Sequence, residues 1–150
     1  MTQEDKELLL KDLCARLSYG VKCQVQEDEY TYIGTLCRIE VDNKNGNLLD
    51  FVETISGLDC QVYLTEVKPC LFPLSSLTKE HRNIISNKIR EIEINNPPFG
   101  RIHDSGTDNL LNNITLCAQW LINYYIENHF DYNDLIGKGL AIDATNLNIY

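Results

Sequence analysis

The sequence has no apolar run approaching the roughly 20 residues that a helix needs to cross a bilayer, so no membrane span is expected. Its first residues, Met1-Thr2-Gln3-Glu4-Asp5-Lys6, lack the basic segment and long apolar stretch of a secretory leader, and a cytoplasmic protein is expected. Positive charge is scarce too. Thirteen Lys and Arg stand against 22 Asp and Glu, a formal net charge of −9. That balance opposes the counterion release that drives binding to duplex nucleic acid, and the attraction to an anionic membrane surface. Neither is an expected partner.

Metal and nucleophile signatures are also missing. The six cysteines, Cys14, Cys23, Cys37, Cys60, Cys70 and Cys117, include no C-x-x-C pair. The histidines His81, His103 and His129 form no H-x-x-x-H or H-E-x-x-H pattern, so no metal and no other cofactor is expected. The thiols are expected to be reduced and largely buried, behaving as small hydrophobes. There is no G-x-S-x-G elbow and no Walker spacing around Gly137-Lys138-Gly139, which reads as a tight turn or bulge. His103-Asp104-Ser105 collects the residue types of a hydrolase triad, but sequence neighbours point in different directions, and a polar loop is the better reading. No catalytic residue is assigned.

What is present is an ordinary globular composition. With 150 residues, 43% hydrophobic and 23% charged, the chain can bury one sizeable core without disulfides or metal. The expected fold is α+β in one domain: an N-terminal helix, a small antiparallel, barrel-like sheet of about four strands within residues 21–67, and a mainly helical half over 78–130. Leu9, Leu10, Leu13, Cys14 and Leu17 share one face of the first helix, with Thr2 as N-cap and Gly20 as stop. β-branched and aromatic residues dominate from Val21 to Val67, and Asn45-Gly46 signals a hairpin. Pro69 and Pro73 predict an exit from the sheet. Thr78 caps a helix carrying Ile84, Ile85, Ile89 and Ile92, residues 95–107 read as a loop, and Asp108 caps the strongest helix, which should pack on the sheet. The stretch Leu135 to Ile142 reads as strand-like, interrupted by two glycines.

Three strings together carry a resemblance: Lys11 to Leu17 running into Tyr19 to Cys23, then Lys68 to Thr78, and finally His129 to Tyr132 with Leu135 to Ala141. The chain resembles a family of small uncharacterised proteins encoded by phages, prophages and mobile elements of gut Bacteroides relatives. That resemblance brings no catalytic residues. It implies a phage-linked accessory protein in the cytoplasm of a bacterial host, acting on host machinery or host defence.

The function expected is therefore non-enzymatic binding, such as a counter-defence factor that sequesters a nucleotide signal or occupies a host protein. The alternative is a small hydrolase using His103 or His129 with a carboxylate. A homo-oligomer is a further option. Tyr30, Tyr32, Arg38, Arg101 and His103 are the candidate ligand-binding residues, because aromatic faces and positive groups are what a nucleotide would use.

Overall fold

The structure, a computed structural model, describes residues 1–27, 29–41, 47–53, 57–95 and 106–150. The chain divides into two compact units, Met1–Leu74 with Ile126–Tyr150, and Ser75–Tyr125.

The first unit opens with α1, Gln3–Arg16. Its start is fixed locally: Thr2 Oγ1 accepts from the Asp5 amide at 3.1 Å while the Asp5 carboxylate accepts from the Thr2 amide at 2.9 Å. A 3-10 turn over Leu17–Tyr19 ends at Gly20, whose φ of 65° suits glycine. The face that α1 buries differs from the apolar one expected. Leu9, Asp12, Leu13 and Arg16 are buried, whereas Cys14 is exposed. Two charged residues therefore lie on the inward stripe.

Strands β1 (Lys22–Glu27), β2 (Tyr30–Glu40), β3 (Leu48–Glu53) and β4 (Asp59–Tyr63) form an antiparallel meander. The Asn45-Gly46 turn lies outside the described residues, but Glu40 pairs with Leu48 on either side of it. Strand β5 (Val67–Pro73) returns to the far side of β1, and β6 (Phe130–Asp131) and β7 (Ile142–Asp143) both pair with β5 in parallel. Among the described residues the sheet thus has seven strands rather than about four, is mixed rather than purely antiparallel, and is not a closed barrel.

It is nevertheless strongly curled. Strands β4 and β5 occupy opposite ends of the order β4-β3-β2-β1-β5, four strand spacings apart, or about 19 Å if flat. Only the 3-10 turn Leu64–Glu66 joins them. At a rise of about 2 Å per residue that turn covers roughly 8 Å, so the edges must bend toward each other.

The prolines do not end the sheet as expected. Residues Val67 to Pro69 pair with β1, Cys70 and Leu71 with β7, and Phe72 and Pro73 with β6. Because β5 changes partners between its halves, it needs no unbroken row of donors, and the missing proline amides are tolerated.

Leu9 and Leu13 of α1 join Val21, Val25, Leu36, Leu49, Phe51, Val62 and Val67 of the sheet region in one core. Leu135, Leu140 and Ala141 complete it. The last three come from turns, not from the strand expected over Leu135 to Ile142; only Ile142–Asp143 is strand. Both Asp131 carboxylate oxygens accept backbone amides, from Leu135 and Ile136, each at 2.8 Å, and this folds the segment inward. Gly137-Lys138-Gly139 is part of these turns, with Gly139 at φ 72°.

The second unit carries α2 (Lys79–Asn95) and most of α3 (Gly106–Glu127). Thr78 caps α2, accepting from the His81 amide at 3.3 Å. Helix α3 starts at Gly106, so Asp108 lies inside its first turn instead of capping it. The His81 ring meets Tyr124 edge-on at 6.2 Å, and Trp120 stacks on Tyr124 at 5.1 Å, which sets the start of α2 beside the end of α3.

Candidate functional site

The first unit has two adjoining depressions on the β2, β3 and β4 side of the sheet. One, of about 370 Å³, is lined by Glu27, Tyr30, Thr31, Tyr32, Leu58, Asp59 and Cys60. The other, of about 450 Å³, is lined by Cys37, Arg38, Asp50, Phe51, Asp59, Cys60 and Gln61. They share Asp59 and Cys60 of β4 but open on opposite faces of the sheet, the first with Tyr32 on the core side and the second with Arg38 on the outer side.

Three of the five expected residues line these depressions, Tyr30 and Tyr32 the first and Arg38 the second. Tyr30 is 77% exposed and presents its ring to solvent. Tyr32 is half-buried against the core, its hydroxyl donating to Cys60 Sγ at 2.8 Å and so tying β2 to β4 across β3. Arg38 lines the other depression, on the outer face, and the reason is a β-bulge. The pairing of β2 with β3 runs Leu36 to Phe51 and then Arg38 to Asp50, leaving Cys37 unpaired with β3. Leu36 faces the core, and after the extra residue Ile39 does so, which turns Arg38 outward. Simple alternation would have put Tyr30, Tyr32 and Arg38 on one face. Arg101 and His103 lie outside the described residues.

Both depressions are acidic. Among their described lining residues Glu27 and Asp59 charge the first, and Asp50 and Asp59 stand against the one cation, Arg38, in the second. Arg38 Nη2 is 3.0 Å from Glu40 Oε2, and its Nη1 is 3.6 Å from Asp50 Oδ2. Asp50 also accepts from Gln61 Nε2 at 2.8 Å. These exposed pairs contribute little stability, but an incoming phosphate would have to displace two carboxylates from the guanidinium. Beside both depressions, β4 forms the end of the sheet, and among the described residues it pairs only with β3.

A second polar cluster is buried, and it went unnoticed in the sequence. Arg16, fully buried, binds Asp12 through Nε at 2.7 Å and Nη2 at 3.2 Å. Its Nη2 donates to the Phe130 carbonyl at 2.8 Å and its Nη1 to the Ile126 carbonyl at 3.4 Å. Asn133 Nδ2 donates to Asp12 at 2.9 Å, and the guanidinium carbon lies 5.6 Å from the Tyr132 ring centre. The first and last strings that carry the sequence resemblance therefore meet here. This is a fully partnered clamp closed from solvent.

His129, the histidine of the hydrolase alternative, is likewise packed inside. It has a left-handed φ of 57°, stacks on Tyr150 at 4.1 Å, and is 8% exposed. Tyr150 accepts from the Lys22 amide and donates to the Cys70 carbonyl, each at 2.9 Å. His129 Nδ1 is buried with no hydrogen-bond partner among the described residues. Burial, then Arg16 and Lys22, depress its pKa from 6.5 to about 4. The unfolded chain takes up this proton near pH 6.5 and the folded chain only near 4, so stability is full above 6.5 and declines as pH falls through that window. The decline should be on the order of 3 kcal/mol. His129→Asn, a residue that tolerates positive φ, should flatten this part of the pH profile of urea unfolding. A profile identical to that of the parent would refute the assignment.

All six cysteines are free thiols, but only Cys23 and Cys70 are buried, fewer than expected. Burial raises both, Cys70 to about 11, so neither is a ready nucleophile at neutral pH. Among the described residues no three His, Cys, Asp or Glu side chains converge as a metal site, and no helix is long and apolar enough to cross a membrane.

No protein-family model matches this chain, and neither does any curated protein or solved structure. Its class is accordingly defined by its own architecture: a mixed α/β protein with a curled seven-stranded sheet bearing an acidic, tyrosine-lined depression beside an end strand.

Proposed function

We propose that this chain is a non-enzymatic accessory binding protein of phage or prophage origin, and that it works by occupying a host protein. The observation that carries this reading is the acidic, tyrosine-lined depression next to strand β4. An extended polypeptide can add to an end strand through main-chain hydrogen bonds while its side chains enter neighbouring pockets. Tyr30 and Leu58, 77% and 68% exposed, offer apolar contact, and Glu27 and Asp59 favour basic side chains. The ligand is thus an extended segment with alternating apolar and basic residues. A nucleotide signal fits less well, because Arg38 already faces Glu40 and Asp50. The phage context and the role against host defence rest on the sequence resemblance.

Selection of extended peptides against the purified chain, followed by calorimetry, tests this reading. Peptides bearing Lys or Arg between apolar residues should bind, and Tyr30→Ala or Leu58→Asp should weaken them about 10- to 30-fold. Tight retention of cyclic or linear nucleotides, with no peptide selected, would overturn it.

A further inference from the structure

Helix α3 carries an apolar stripe that its own unit leaves uncovered. Leu111, Ile114 and Ile122 are 61%, 56% and 39% exposed, and Ala118 between them is exposed as well. Leu111, Ile114, Ala118, Leu121 and Tyr125 follow the alternating steps of three and four that place residues on one seam of a helix, with Leu121 and Tyr125 half-buried and Ile122 at its border. The opposite side of α3, with Asn113, Cys117, Trp120 and Tyr124, is buried or half-buried. The exposed stripe is therefore a second apolar face, not the one turned inward.

We infer that this stripe is a self-association surface, on which α3 of a second copy packs antiparallel. Charge argues for a second copy. The chain carries −9, so two copies repel unless they meet where charge is absent, and residues 109–126 contain no charged side chain. Shape argues the same way. Reversing the stripe about Ala118 sets Leu111 against Tyr125 of the second copy, Ile114 against Ile122, and Ala118 against itself. Large residues face large ones on either side of a small central residue that lets the helices approach, which is the self-complementarity a two-fold interface requires. The stripe from Leu111 to Tyr125 is about 21 Å long. It supplies part of the roughly 800 Å² per partner that a standard interface buries, which places the dimer at the weak, micromolar end.

Sedimentation equilibrium of the full chain from about 1 to about 200 µM tests this. The parent should pass from monomer to dimer, and added salt should strengthen the dimer by screening the −9 repulsion. Ile114→Glu and Ile122→Lys should each weaken association at least tenfold, with unchanged helicity by circular dichroism because both sites are exposed. An equimolar mixture of the two variants should recover association, since Glu at 114 of one copy then faces Lys at 122 of the other. A parent that stays monomeric throughout, variants that dimerise like the parent, or a mixture no tighter than either variant alone would each overturn the proposal.

Discussion

Replacing Arg16 with methionine should destabilise the protein by about 3–5 kcal/mol, because it leaves the Asp12 carboxylate buried with its cation gone. Asn133 alone would still donate to Asp12, at 2.9 Å. The Phe130 carbonyl would lose its 2.8 Å guanidinium donor but keep the Tyr132 amide at 3.1 Å, so the loss is carried by the buried Asp12 carboxylate. For a domain of this size the loss corresponds to a fall in melting temperature on the order of 10 °C. The double replacement Asp12→Leu with Arg16→Met should recover much of it, since removing both charges also removes their desolvation cost. Urea unfolding of the single and double variants measures both effects. If Arg16→Met lay within about 1 kcal/mol of the parent, the clamp would be no more than a surface pair.

The consequence is wider than α1. Arg16 draws the carbonyls of Ile126 and Phe130 to the helix, and Asp131 then binds the Leu135 and Ile136 amides. A single cation thus positions the segment that supplies Leu135, Leu140 and Ala141 to the core. Loss of Arg16 should accordingly raise amide exchange first in residues 130–141, ahead of the β1 to β4 meander.

The second large effect is expected at Phe51. Its side chain is 1% exposed and sits over Gly34, where an added Cβ would approach the Phe51 Cβ to 3.2 Å. Phe51→Ala should cost about 3–5 kcal/mol, the sum of lost burial and the cavity left in a sheet that cannot collapse freely. Gly34→Ala should cost less, about 1–3 kcal/mol, through overpacking at the same contact. Phe51 also borders the Arg38 depression, and its carbonyl accepts at 3.6 Å from the thiol of Cys60, which lines the peptide-binding depression proposed above. Peptide binding should therefore weaken in Phe51→Ala even under conditions where the chain remains folded. Unfolding midpoints together with calorimetry separate the two effects, and a Phe51→Ala variant as stable as the parent would contradict the packing described here.

Several features were legible in the residues because their causes are local. Thr2, Gly20 and Thr78 bound helices or turns through hydrogen bonds and φ angles set within a few residues, and the β-branched texture between Val21 and Val67 marks strands through side-chain stiffness. Tyr30 and Tyr32 share a depression because nothing interrupts the alternation between them. Arg38 shows the limit of the same rule. One inserted residue at Cys37 reverses its face, and no local signal in that stretch announces the bulge.

The sequence by itself determined where most elements begin, which periodicity each follows, and the net charge of −9. Only the tertiary structure decided that Asp12 and Arg16 turn inward, that a proline-bounded segment pairs with both β1 and the short parallel strands, and that turns instead of a strand fill the core beside α1. The physical reason is distance along the chain. The carbonyls that satisfy Arg16 lie 110 and 114 residues away, and a charged side chain is read as exposed until such partners are in view.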